Sequence, residues 1–322
     1  MLFTKEQQEA LKNHKYSTND NSLSGQYLWP FWVYLQKFVP PYIAPNVISF
    51  LGFFCTFLAL LVVGLFHDIY PITSEILSTL LIFIYINLDC IDGIHARANN
   101  NASPMGEFID HACDSISAIF ISLTACYVFS VNKELIIWLI TQIVLLNFIM
   151  CHLEAYVKGE VYFSRFFGPT EVLLYYCTIV CLKIFNIDII GELYLNIFVE
   201  LYVLIFLFVS YRVILYTKNE ISKKNTKMAI YICATILTSL FAGKTNTTEI
   251  CMGCLPLSVL ASDIILCKMT KKTTSMIVPI VAIVSIYNLY ISTIIIIAYY
   301  YFVLKEMSET LEIFIFKMNK PK

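Results

Sequence analysis

Four aspartates at two tight spacings are the residues here whose types and positions can do chemistry. Asp89 and Asp92 are three apart, and Asp110 and Asp114 are four apart; on helices, each pair shares one face. The first pair sits in Asn87-Leu-Asp89-Cys-Ile-Asp92-Gly93-Ile-His95-Ala96-Arg97 and the second in Gly106-Glu107-Phe-Ile-Asp110-His111-Ala-Cys-Asp114. An Asn-rich, Pro-containing loop, Ala98–Met105, lies between them and lets the two helices run antiparallel. Four carboxylates then converge. In a low dielectric they repel one another unless cations sit among them. Hard oxygen ligands suit Mg²⁺ or Mn²⁺. Four of them suit two ions, and a paired-metal clamp suits displacement at phosphorus. Gly93 and Ala96 leave room for a ligand to approach the helix backbone, and Arg97 is placed to meet a phosphate. The competing reading is a solvated helix-loop-helix edge with ordinary surface acids. It weakens for four acids at these spacings flanked by apolar residues.

The elements that position this cluster are membrane helices. Of the 322 residues, 58% are hydrophobic and 14% charged, with mean hydropathy +0.72, whereas globular chains are about half apolar and a quarter charged. A water-soluble fold cannot hide so much apolar surface. Apolar runs long enough to span, or nearly so, recur at Val47–Phe66, Ile76–His95, Gly106–Phe129, Leu135–Tyr156, Thr170–Ile187, Tyr194–Tyr216, Met228–Phe241 and Gly253–Cys267. Met276–Leu304 is too long for one untilted span, and Asn288 near its middle splits it in two. The expectation is an all-α polytopic membrane protein of about ten transmembrane helices. A single long tilted final helix, giving nine, is the alternative. Gln26–Val39, rich in Trp and Tyr, reads as an interfacial helix before the first span, with an ordinary packed amphipathic segment as the equal alternative. The chain divides into an N-terminal segment 1–46, a membrane domain 47–304 and a tail 305–322.

Loop charges orient the bundle. With a cytosolic N-terminus, the loops on that side carry ten Lys and Arg between Arg97 and Lys272, and the opposite loops only Lys133 and Lys244. That is a positive-inside bias, and it puts both termini and the aspartate cluster at the cytosolic side. Net charge −1 supplies no basic field, so nucleic acid is not an expected partner. The 11 Cys are scattered, and Cys251 with Cys254 has no second pair to complete a zinc site. They read as reduced packing residues. Residues 1–20 contain no apolar signal region, so no cleaved secretory peptide is expected.

The string from Asp89 to Asp114 matches D-x2-D-G-x2-A-R-x8-G-x3-D-x3-D at every fixed position. In this it resembles the CDP-alcohol phosphatidyltransferase family. Finer features resemble the eukaryotic choline/ethanolamine phosphotransferase branch. Ser103–Ser115 looks like that branch's SPLGELFDHGCDS, and similar segments occur at Leu11–Ser17, Pro30–Trp32, Ala44–Asn46, Leu153–Tyr156, Gly168–Glu171 and Ile265–Lys271. The likeness runs from about residue 11 to residue 271. Departures fall at Ile94 and His95, where the branch has Lys-Gln, at Ala98 for a second Arg, at Val157-Lys158 for His-Thr, and at Lys268 for a late His. None touches the four Asp. They bear on alcohol selectivity and nucleotide contacts more than on reaction type.

The resemblance implies transfer of a phospho-alcohol from CDP-choline or CDP-ethanolamine to diacylglycerol, with release of CMP. It implies Asp89, Asp92 and Asp110 as metal ligands, with Asp114 as a fourth ligand or a base. It implies nucleotide contacts from Asn46, Gly93, Ala96, Arg97 and Gly106, although Asn46 would equally serve as a helix cap. A proton must leave the attacking hydroxyl, and His111, whose free pKa lies near neutrality, is the natural acceptor. Glu107, one turn earlier, would orient it or act itself. Glu154 and Glu171 are expected to help form the site. Glu200 and Asp263 have no evident role, and Lys183 is expected to snorkel toward the luminal interface. An endoplasmic reticulum membrane, with the Golgi as alternative, and a homodimer are also what the family implies. The competing functions are a phosphatidylinositol synthase of the same family and a cation transporter. The Ser103–Ser115 string and the clustering of the acids at one cytosolic edge weigh against them.

Overall fold

The computed structural model describes residues 3–185, 246–271 and 277–318, with Leu207 and Tyr211 singly. Three short helices open the chain: α1 (Lys5–Lys12), α2 (Leu23–Tyr27) and α3 (Trp29–Gln36). The bundle follows as α4 (Pro45–Phe66), α5 (Pro71–Ala98), α6 (Pro104–Val128), α7 (Glu134–Lys158) and α8 (Pro169–Ile184). It resumes with α9 (Thr247–Thr270), α10 (Ile277–Tyr287) and α11 (Leu289–Leu311). Proline in the first turn starts α4, α5, α6 and α8, where its missing N–H costs nothing and its fixed φ favours the helix.

Six helices, α4, α5, α6, α7, α9 and α11, are long and apolar enough to cross a membrane. The chain is an integral membrane protein of mainly helical build. The expected ten spans are not reached among the described residues, for two reasons. Those read at Tyr194–Tyr216 and Met228–Phe241 fall almost wholly outside the described residues, as does the end of Thr170–Ile187. The others are short: α8 has 16 residues and α10 has 11, about 24 Å and 17 Å of helix against a hydrocarbon layer of about 30 Å. The break at Asn288 is present. Its side chain accepts the Ile291 N–H at 3.0 Å and caps α11. The second half is nonetheless a full 23-residue helix running on to Leu311.

Two pieces of strand were not expected. Thr18–Asp20 (β1) pairs in parallel with Val161–Phe163 (β2) in the register Thr18↔Val161. The pairing fastens the N-terminal segment to the α7–α8 connection.

Packing sets where the site lies. α6 is shared by two cores. One joins it to α7, α9 and α11 through Phe108, Leu145, Leu257 and Met307. The other joins it to α4, α5 and α8 through Ala59, Ile82, Val128 and Tyr176. α9 is buried along most of its length, while α11 mostly faces outward. Gly52 lets α4 close on α5, since a Cβ there would sit 3.2 Å from the Tyr85 ring. Asn100 adopts φ 52° just after α5, a left-handed conformation Asn tolerates, and Ser103 caps α6 by accepting the Gly106 N–H. The chain thus reverses in a few residues, setting the last turns of α5 beside the first turns of α6.

Candidate active site

Both aspartate pairs lie at this reversal, at the end of the bundle that also holds the N-terminus of α4 and the C-terminus of α9. Their charges act on one another across the α5–α6 seam: Asp89 on Asp114 and Asp92, Asp92 on Asp110, Asp110 on Asp114. Asp92 is the most enclosed, at 5% exposure, while Asp89, Asp110 and Asp114 stay partly accessible. Two hydroxyls fix the carboxylates from behind. Ser49 of α4 donates to Asp92, and Tyr85 of α5 donates to Asp114 Oδ1 at 2.8 Å.

Ligand atoms of Asp110, His111 and Asp114 lie within 4.8 Å of one another, and His111 Nδ1 is 3.7 Å from Asp114 Oδ2. Among the described residues no Lys or Arg forms an ion pair with any of the four aspartates. Arg97 lies instead along α5, over Gly93, with its guanidinium 5.7 Å from the Trp29 ring centre. A cluster of enclosed and half-buried acids that no Lys or Arg pairs with among the described residues fits a divalent cation held by hard oxygens.

Beside the carboxylates is a layer rich in imidazole. His111 is buried, and its Nε2 has no hydrogen-bond partner among the described residues. Its ring meets His152 of α7 edge-on at 4.8 Å and Tyr16 at 5.8 Å. Glu107 does not turn to His111. One oxygen takes His14 Nε2 at 2.7 Å and the other takes Lys268 Nζ at 3.2 Å. The N-terminal segment and α9 are thereby tied to the first turn of α6. Lys268 also lies 5.5 Å over the Tyr16 ring. Burial and then the charges of Asp110, Glu107, Asp114 and Asp89 push the Tyr16 phenol well above its usual range. Since 41% of the residue stays accessible, the carboxylate charges are the sturdier cause.

Asn46 is beside Gly106, whose Cβ would lie 3.5 Å from the Asn46 side-chain oxygen. Its amide donates to the Ile315 carbonyl at 2.7 Å, so the C-terminal tail returns to this end of the bundle, with Phe316 against Phe50. Ala96 is half-buried on α5. Glu154 pairs with Lys158 at 2.6 Å, and Glu171 accepts the Ser24 N–H at 2.7 Å, which anchors α2. Glu200 is outside the described residues. Asp263 is buried and accepts from Tyr299 at 3.4 Å. Lys183 does not simply snorkel: it pairs with Glu75 at 2.5 Å and donates to the Val128 carbonyl, far from the aspartates along the helices.

Sequence reasoning missed Ser49, Tyr85 and His152, and the bonding of His14 and Lys268 to Glu107. The signal for Ser49 and Tyr85 was present, a polar side chain in each of two apolar helices. Ser49 is also one turn from Asn46. His95, where the resembled branch has Gln, has Nε2 2.9 Å from the Ile43 carbonyl and Nδ1 3.1 Å from Gln36 Nε2. That fits an Nε2–H tautomer joining α5 to α3 and the α3–α4 turn.

A helical membrane bundle with this aspartate string is a defined class, and comparison with known sequences names it. The profile of the CDP-alcohol phosphatidyltransferase family matches residues 42–211. The chain belongs to this family, whose chemistry depends on divalent metal. Its relatives include Cholinephosphotransferase 1 of Gallus gallus, 35% identical over 167 residues, or 49% of each chain. Choline/ethanolaminephosphotransferase 1 of Saccharomyces cerevisiae is 33% identical over 58% of this chain and 49% of its own. Ethanolaminephosphotransferase 1 of Homo sapiens is 30% identical over 54% and 48% respectively. The chain spans about half the length of the curated relatives it matches.

Proposed function

We propose that the chain transfers phosphocholine or phosphoethanolamine from its CDP ester to diacylglycerol, giving phosphatidylcholine or phosphatidylethanolamine and CMP. The observation that carries this is the group of four Asp that no Lys or Arg pairs with among the described residues, next to a buried His111 Nε2 with no hydrogen-bond partner among them. Asp89, Asp92, Asp110 and Asp114 would hold divalent cations, Mg²⁺ or Mn²⁺ and two in number. When bound, they neutralise charge on the diphosphate and on the departing phosphate.

The residues of the chain do the rest. His111 Nε2 takes the proton of the diacylglycerol hydroxyl. That oxygen bonds to the phosphorus bearing the alcohol, the bond from this phosphorus to the bridging oxygen breaks, and CMP leaves with that oxygen. Glu107, held by His14 and Lys268, fixes the first turn of α6 and with it the place of His111. Gly93, Ala96, Arg97, Gly106 and Asn46 surround the nucleotide. The exposed aromatics Tyr27, Trp29, Phe31 and Tyr34 support a place for α2 and α3 in the headgroup layer, as Trp and Tyr prefer. Loop charge supports a site on the cytosolic face, the side from which a soluble CDP ester would arrive, and the branch points to the endoplasmic reticulum.

The test is radiolabel transfer by purified protein in detergent from CDP-choline and, separately, CDP-ethanolamine to diacylglycerol. It is run with Mg²⁺ or EDTA, beside Asp114→Asn. Metal-dependent lipid product that the variant fails to make is expected, and the ratio of rates names the alcohol. No product from either donor with folded protein overturns the assignment.

A further inference from the structure

Apart from the aspartate cluster, the same end of the molecule has an open cavity of about 730 Å³ between α1 and the C-terminal turns of α9. None of the four aspartates lines it. Lys5, Lys15, Lys268 and Lys271 do, against the two acids Glu6 and Glu9; with Lys268 answered by Glu107, a surplus of one positive charge remains even with His14 neutral. Lys5, Lys15 and Lys271 have no ion-pair partner among the described residues. The remaining two cationic or protonatable groups are built in. The side chains of Lys268 and His14, which also line the cavity, are only 7% and 9% exposed. Both contact Glu107, at 3.2 Å and 2.7 Å.

A concave site lined by four lysines, with Lys268 fixed at its base, suits a phosphate group, which ammonium ions bind as point charges. The volume lies in the range of small-molecule pockets and exceeds what a bare phosphate fills. We propose that this cavity binds a phosphomonoester, from a soluble metabolite or an anionic lipid headgroup, and that Lys268 transmits its occupancy to Glu107. A phosphate that draws Lys268 toward it weakens one of the two contacts fixing Glu107, and with it the seating of the first turn of α6. The coupling, but not the binding, rests on the transferase reading above.

The experiment uses the full chain in phosphatidylcholine nanodiscs, with inorganic phosphate as the soluble probe and nanodiscs containing phosphatidate as the lipid probe. Binding is measured directly, with EDTA present, for the wild type, the Lys5→Gln/Lys15→Gln/Lys271→Gln triple variant and Asp114→Asn. The expected result is saturable binding of at least one probe, kept in Asp114→Asn and weakened roughly tenfold or more in the triple variant. The probe that binds identifies the source. Binding lost in Asp114→Asn would place the phosphate among the aspartates and overturn the proposal, as would unchanged affinity in the triple variant or no binding of either probe. Transfer assays supply the second arm. The bound probe changes wild-type turnover by roughly fivefold or more, while the triple variant keeps basal turnover and does not respond. Binding without any change in turnover would overturn the coupling through Lys268. Failure of the chain to transfer phospho-alcohols leaves the binding arm decisive, so the two readings fail separately.

Discussion

Ser49→Ala removes one hydroxyl and, on this structure, should act on metal rather than on fold. Ser49 stands on α4 and donates to Asp92, the most enclosed of the four carboxylates. A hydrogen bond to a charged acceptor contributes about 1.5–3 kcal/mol. At about 1.4 kcal/mol per tenfold, that corresponds to roughly 10- to 100-fold, the usual cost of losing a group that orients a metal ligand. The assay is transfer rate against free Mg²⁺ at saturating CDP ester. The half-saturating Mg²⁺ should rise by roughly 10- to 100-fold, with turnover at saturating Mg²⁺ close to wild type. Ser49→Thr, which keeps the hydroxyl, should move it far less. Thermal unfolding in detergent checks that the alanine variant is folded. A folded Ser49→Ala protein with wild-type Mg²⁺ dependence would refute both the orienting role of Ser49 and the placing of Asp92 among the ligands.

Three further outcomes follow from single contacts. His111→Ala should cut turnover by a factor of about 100 or more while Mg²⁺-dependent binding of the CDP ester, followed by isothermal titration, stays near wild type; unchanged turnover would remove His111 from proton transfer. Gly93→Ala puts a Cβ 3.3 Å from the far end of the Arg97 side chain and raises helix propensity by about 0.5–1 kcal/mol. Its thermal midpoint should hold or rise while KM for the CDP ester increases, and an unchanged KM would mean that no ligand uses that space. Lys183→Met breaks the Glu75 pair, in which Lys183 is 30% and Glu75 6% exposed. Because one partner is partly solvated, the loss should fall below the 3–5 kcal/mol of a fully buried pair, at about 2 kcal/mol. It should be read as a lowered midpoint with unchanged KM, and Glu75→Gln added to it should restore part of the loss.

The spacing of the aspartates was enough to bring them together on paper, because helical periodicity converts i,i+3 and i,i+4 directly into a shared face. Apolar run length likewise located α4, α5, α6, α7 and α9, since a membrane demands one continuous stretch for each. Partners contributed by other elements were not legible. Nothing near Glu107 in the chain announces that His14 and Lys268, 93 and 161 residues away, will converge on it. The local expectation had that carboxylate orient His111 or act itself, because the two are one turn apart. The β1–β2 pair was invisible for a related reason: three residues carry no periodicity, and their pairing is decided by where α7 ends. The Met276–Leu304 run shows the reverse case, with Asn288 marking the break correctly but length arithmetic underestimating α11. Its last turns carry Lys305, Glu306 and Glu309, which hydropathy discards although Glu306 is bonded to the Phe3 N–H.

The bundle treats its buried acids differently at its two ends, and the difference bears on metal. At the end holding His67 and Val128, Glu75 is answered by the chain itself, with Lys183 at 2.5 Å and His67 at 3.3 Å on the same oxygen. The protein therefore brings a lysine into an enclosed position where a lone carboxylate must be neutralised. At the other end it also brings one, Lys268, and directs it to Glu107 rather than to Asp89, Asp92, Asp110 or Asp114. Arg97, one turn beyond Gly93, is likewise spent on Trp29. Cationic side chains at this end are thus directed elsewhere, while Ser49 and Tyr85 supply neutral donors that orient two of the carboxylates without lowering their charge. Four acids, two of them held by hydroxyls and none paired with lysine or arginine among the described residues, form an arrangement that stabilises the fold poorly by itself and that cations between the carboxylates would favour. Mg²⁺ should therefore raise the thermal midpoint of the wild type in detergent and leave that of Asp89→Asn/Asp114→Asn unmoved. Equal shifts in the two proteins would show that the ion acts elsewhere.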